Sequence, residues 1–266
     1  ANFTANVGNI AIGHQALTTA NGDEGKNIAI GYQAMTLVDI NTADSNIAIG
    51  NAALEGGDGT GNNNIVIGND SCDHTDAEFS GVVAIGEDVM QGIVTTAADN
   101  TIAIGSEALK ALVSGTKNIA IGYQALSTID TGANNTVIGY NAMVDTDADG
   151  NTQDSDHNTF IGSHCGGGTW AAGKSEANTA VGSSAMIGAL DEANYNVAMG
   201  ISALAGAVES SGSVAIGASA LNALTTGAGN IAIGYQALLE HTEGSRNIAI
   251  GYQSMFNTYD DSLDDT

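Results

Sequence analysis

Between Gly139 and Gly162 the chain carries Asp145, Asp147 and Asp149, then Gly150, Asn151, Gln153 and Asp156. Counting Asp145 as the first loop residue, acids fall at positions 1, 3, 5 and 12, with glycine at 6. Hard oxygens at that spacing can wrap one Ca2+, and Gly150 permits the sharp turn that gathers them. The candidate ligand set is therefore Asp145, Asp147, Asp149, Asn151, Gln153 and Asp156, on a loop with no flanking helices. Thr152 stands where an apolar residue is usual, and Asp replaces the usual Glu at 12. The plain alternative is a solvated acidic loop. The next interval, Gly162 to Gly182, holds Thr169, Trp170 and Lys174, and Trp170 is the only tryptophan. A flat apolar ring in a loop is a natural platform for a glycan, so these three residues form a candidate receptor patch. The competing expectation is that Trp170 folds back to cover an irregular coil.

Other reactive side chains carry less. Cys72 and Cys165 occupy positions that elsewhere hold Leu or Met and Ala, so they read as small buried hydrophobes. His74 and His164 lie near them, but two ligands do not make a zinc site. Acid pairs such as Asp73 with Asp76 or Asp191 with Glu192 are expected in a chain with 30 acids. Thin coils and one Trp give no broad subsite groove for polysaccharide cleavage. The chain is not expected to be an enzyme.

The elements that must hold these loops are repeats. The unit Asn-Ile-Ala-Ile-Gly-x-x-Ala-Leu recurs around Gly13, Gly31, Gly50, Gly68, Gly86, Gly105, Gly122, Gly139, Gly162, Gly182, Gly200, Gly217, Gly234 and Gly251. Most spacings are 17 to 20 residues, and one is 23. One and three residues before each glycine sit Ile, Val, Thr or once Met, a same-parity pair on one face of a short strand. Stacked coils then make an all-β, parallel β-solenoid or β-roll of about fourteen coils, rising about 4.8 Å each. Asn stands four before the glycine in eleven repeats, where its side chain can bond from coil to coil. Leu or Met stands four after it in twelve, and must return to the core. The continuation Ala-Leu-x-x-Leu fits either a second strand or a helical turn.

The residue two before the glycine is Ala in eleven repeats and never polar. If the larger β-branched pair fills the interior, this alanine faces outward, and a small apolar outer stripe calls for a partner. On that reading Ala11, Ala29, Ala48, Ala103, Ala120, Ala232 and Ala249 form an interface between copies. The alternative is that the stripe meets a second layer of the same chain. Tyr32, Tyr123, Tyr140, Tyr235 and Tyr252 directly follow the glycine and are expected to form a ladder along one edge.

The repeats, for example Asn118-Ile119-Ala120-Ile121-Gly122-Tyr123-Gln124-Ala125-Leu126, resemble those of trimeric autotransporter adhesin heads (YadA-like) and the Asn-x-Ala-Ile-Gly-x-x-Ala-Leu arrays of phage tail fibres. The similarity covers residues 9 to about 256. It implies a homotrimeric solenoid at a cell or virion surface, used for adhesion or as a shaft. The coils are longer than the adhesin head unit, and no stalk, membrane anchor or self-cleaving domain is visible.

Composition agrees with this. The net charge of −25 repels nucleic acid and anionic membranes and favours a salty medium. No run of eighteen apolar residues offers a membrane helix, and no signal-peptide pattern opens the chain. A start at Ala1 fits a processed product or a fragment. The expected layout is a lead-in over 1–8, a solenoid over 9–256 with enlarged loops at 144–157 and 166–177, and an acidic tail over 257–266. The expected function is an extracellular or virion-borne fibre or adhesin segment that spans distance and presents a binding patch. The alternatives are a solenoid that binds ice or another flat surface through the Ala/Thr stripe, or a carbohydrate-binding or -cleaving spike.

Overall fold

The computed structural model describes residues 8–18, 25–36, 43–55, 61–73, 79–92, 98–144, 155–170, 174–207 and 209–257. It contains fourteen three-residue strands: β1 (Ile10–Ile12), β2 (Ile28–Ile30), β3 (Ile47–Ile49), β4 (Ile65–Ile67), β5 (Val83–Ile85), β6 (Ile102–Ile104), β7 (Ile119–Ile121), β8 (Thr136–Ile138), β9 (Thr159–Ile161), β10 (Thr179–Val181), β11 (Val197–Met199), β12 (Val214–Ile216), β13 (Ile231–Ile233) and β14 (Ile248–Ile250). The chain is a β-solenoid in two compact units, Ala1–Asn135 and Thr136–Thr266. In the first, β1 to β7 pair in chain order, all parallel and in register, so that Ala29 lies beside Ala48 and Ala103 beside Ala120. The second repeats this from β8 to β14. Each coil therefore stacks on its sequence neighbours, as repeat architectures require.

The strand parity is as expected, but the two faces are exchanged. Ala29, Ala48, Ala103, Ala120 and Ala232 are fully buried and Ala249 is 2% exposed, all inside their own coils. Ala11 is exposed because β1 is the first coil of its stack. The flanking Ile, Val, Thr and Met residues point outward and stay half-buried or exposed. The six buried alanines are thus not an interface between copies. The physical reason is volume. Leu54, Met90, Leu109, Leu126, Met143 and Leu204, four after the coil glycine, already fill the narrow interior. Little room remains between them and the strand, which Ala takes in most coils, while Val66, Val137 and Phe160 are the fully buried exceptions.

The segment after the glycine is neither strand nor helix. It makes two tight turns with left-handed residues two and four after the glycine, such as Glu107 (φ 60°) and Leu109 (φ 51°). Such angles disfavour residues with a Cβ. They persist because the same N–H groups bond to adjacent coils: Glu107 N donates to Glu87 O at 2.9 Å and Leu109 N to Ala125 O at 3.1 Å. A third left-handed residue sits five before the glycine, as at Lys117 and Asn134. Coil length varies only between the end of the turns and the return to the strand, so 17-residue and longer coils share one register.

The asparagine column forms a ladder, though mostly to backbone. Asn46 N donates to Asn27 Oδ1 at 2.9 Å, and Asn64 N to Asn46 Oδ1 at 2.9 Å. Most of the amides also donate across, Asn46 Nδ2 to Gly61 O at 3.0 Å and Asn178 Nδ2 to Ala193 O at 2.7 Å. Each such side chain thereby secures two points of the next coil. A second, outer ladder runs through Asp44, Asn62, Ser80 and Asp99, whose side-chain oxygens accept from the backbone of the preceding coil. Thr101 interrupts the inner ladder, and its buried Oγ1 has no partner. Thr101→Asn would offer Oδ1 to the Asn118 N–H and Nδ2 to the Gly115 carbonyl. The expected gain is about 1 kcal/mol, read as a higher thermal midpoint by circular dichroism.

Candidate functional surfaces

Of the candidate calcium ligands, Asp145, Asp147, Asp149, Asn151 and Gln153 lie outside the described residues. Asp156 is described, and its carboxylate faces Lys174 Nζ at 3.4 Å, which also meets Glu176 at 3.1 Å. Those two acids hold the Lys174 ammonium above its ordinary pKa, the Glu176 hydrogen bond contributing most. Among the described residues no group of three His, Cys, Asp or Glu is placed to hold a metal ion.

The candidate receptor patch does not assemble as expected. Thr169 is exposed and Lys174 is held by its two acids, but Trp170 is 2% exposed. Its indole lies edge-on to Phe160 with centroids 5.9 Å apart, and Nε1 donates to Gly166 O at 2.9 Å. Trp170 is a core residue, not a platform. The signal was present in the sequence: Gly168-Thr169-Trp170 aligns with Gly188-Ala189-Leu190 one coil on, and Leu190 is fully buried. Three departures from the repeat meet here. Phe160 stands where Ala is usual, Gly166 where Leu or Met is usual, and Trp170 where Leu190 sits. A Cβ on Gly166 would lie 2.9 Å from the Phe160 ring, so the ring fills the space that the missing side chain leaves.

Both thiols are buried as expected, and burial pushes each pKa up to about 12. His164 Nδ1 lies 2.9 Å from Ser163 Oγ, and its ring meets Tyr140 edge-on at 5.4 Å. The residues that follow the coil glycine stack in pairs along an exposed edge. His14 and Tyr32 lie 5.4 Å apart at 8°, and Tyr235 and Tyr252 5.4 Å apart at 19°.

One acidic cluster has a resolved electrostatic consequence. Burial first, then Asp73 and Asp70, raise the Glu55 carboxyl above its ordinary pKa. Burial and then Asp70 do the same to Asp73. A raised carboxyl binds its proton more tightly in the folded chain than in the unfolded one. Both groups therefore subtract stability above their raised values and cease to do so as pH falls through them. Asp73→Asn should raise the thermal midpoint at neutral pH, with the gain vanishing near about pH 3, where ordinary carboxyls are protonated.

Among the described residues, the outer face of the strands is an apolar feature without a partner in the single chain. Ile10 and Ile12 are 46% and 58% exposed, and Ile248 and Ile250 64% and 66%. Between the ends of each unit the equivalent residues are mostly half-buried by their neighbours. No charged side chain stands in either column. A scan against protein-family models finds no match to the chain, and a search of curated proteins finds none either.

Proposed function

We propose that the chain is a structural fibre or adhesin segment, displayed outside the cell or on a virion, whose copies pack side by side along the outer strand face. The observation that carries this reading is the double column of β-branched aliphatic residues. Each unit has seven strands with two outer residues apiece, fourteen per unit, a large part of the about 20–30 residues a side that stable interfaces use. A long apolar face without charges is a docking surface, and a partner with the same axial period is at hand in another copy. The resemblance to trimeric adhesin heads and tail fibres makes that assembly a homotrimer. The net charge of −25 suits a saline exterior, where screening relieves self-repulsion. The acidic loop from Asp145 to Asp156 is proposed as its calcium site, and calorimetry without binding heat at millimolar Ca2+ would remove that part.

The alternative of ice or flat-surface binding relied on an outward Ala/Thr stripe, and the alanines of that stripe face the interior. The proposal is tested by sedimentation of the wild type and of Ile104→Lys. Ile104 is half-buried at the surface of a single chain, so Lys should leave the circular dichroism spectrum unchanged. The wild type should sediment as a trimer and the variant as a monomer, because three ammonium groups would otherwise be buried together. A wild type that is monomeric at high concentration, or a variant that stays trimeric, removes the reading.

A further inference from the structure

The outer face of the second unit is not uniform along its length. Its first outer column reads Thr136, Thr159, Thr179, Val197, Val214, Ile231 and Ile248 from β8 to β14. The three threonines are adjacent, with Thr136 paired to Thr159 and Thr159 to Thr179 in the parallel register. They are half-buried at the surface of the single chain. The second outer column of this unit is Ile138, Ile161, Val181, Met199, Ile216, Ile233 and Ile250. Within these two columns the three hydroxyls are the only polar side-chain groups.

Resting on the self-assembly proposed above, we propose that Thr136, Thr159 and Thr179 form a register key: copies meet parallel and level, with these hydroxyls facing one another. In a parallel, level arrangement threonine meets threonine, and the hydroxyls satisfy each other directly or through a trapped water. Aliphatic residues then meet aliphatic residues over the rest of the unit. A reversed copy would set Thr136 against the Ile248 end, and a copy slipped by several coils would set threonines against Val or Ile. Either leaves buried hydroxyls unmet, which costs more than the apolar contact returns. Uniform apolar columns cannot make this distinction, because sliding by one coil presents an equivalent surface. The threonines give up some apolar contact for a unique alignment, as a single buried polar position does in a coiled coil.

The test places one reactive cysteine in the key. Thr159→Cys is joined to itself by a short bismaleimide, and the native thiols stay silent because Cys72 and Cys165 are buried. Sedimentation of the same samples reports the oligomer separately. The expected result is a 159–159 product that exceeds the 159–231 product, formed in a mixture with Ile231→Cys chains, by at least roughly tenfold, the factor that a single unmet hydroxyl supplies, because the offset leaves both Thr136 and Thr179 unmet. The triple variant Thr136→Ile, Thr159→Ile, Thr179→Ile should still assemble, and a cysteine at Val197 in that background should show offset products. An intact oligomer in which 159–231 products dominate, or in which the triple variant keeps one register, overturns the key alone. A monomeric wild type overturns both the key and the assembly beneath it.

Discussion

Gly105→Ala is expected to unfold much of the first unit. The Gly105 backbone has φ +128°, and an added Cβ would lie 2.6 Å from the carbonyl carbon of Gly122 in the next coil. The backbone angle alone costs about 1–3 kcal/mol for a residue with a side chain. Pushing two coils apart adds about 1–3 kcal/mol more, and the neighbour cannot yield because it is backbone. The same geometry recurs at Gly13, Gly31, Gly50 and Gly68, so the column marks where successive coils touch main chain to main chain. Gly212→Ala is the contrast. Gly212 is also left-handed, at φ +66°, but nothing lies within 4 Å of its would-be Cβ. Ala177 and Lys117 adopt that angle at the equivalent place, and the expected cost is about 1 kcal/mol. Thermal melts by circular dichroism should show a large fall for Gly105→Ala and a small one for Gly212→Ala. Equal falls would contradict the close-approach explanation.

The second large effect is a rescue. Phe160→Ala removes a fully buried ring and should cost about 3–5 kcal/mol. Gly166→Leu should also destabilise on its own, because its side chain would enter the Phe160 ring. Together they restore the common coil, with Ala on the strand and Leu in the turn. Leu17, Leu54 and Leu109 show that leucine tolerates the left-handed angle there. The double variant should lie near the wild type, so the coupling in a double-mutant cycle should be no smaller than the about 3–5 kcal/mol that Phe160→Ala costs alone. The buried indole of Trp170, 5.9 Å from Phe160, provides the fluorescence signal. Simple additivity would mean that the three departures from the repeat are unrelated.

The repeat itself made the strands, their parallel stacking and the asparagine ladder legible, because period and parity are written directly in residue order. The inward face was not. Size argued that Ile should be buried and Ala exposed, yet the occupant of the interior is decided by the opposite wall. Leu109 or Met90 already takes the available volume, so only a methyl group remains for the strand. The left-handed turns were hidden because Glu107, Leu109 and Gln124 are not residues that favour such angles. Coil-to-coil hydrogen bonds impose them, and those bonds appear only after stacking. The outer ladder through Asp44, Asn62, Ser80 and Asp99 did leave a trace, a column of short oxygen-bearing side chains two positions ahead of the column that holds Asn46, Asn64, Val82 and Thr101.

Because all variation in coil length gathers at one corner, that corner is decoupled from the scaffold. A segment can lengthen there while every strand, turn and ladder rung keeps its place, and the added chain pays only the slowly growing entropy of a longer closure. The interval from Gly139 to Gly162 is 23 residues against 17 for the one before it, yet β9 still pairs in register with β8. Foreign peptides spliced into the same corner would be carried as passengers, tethered at both ends to an unchanged spine.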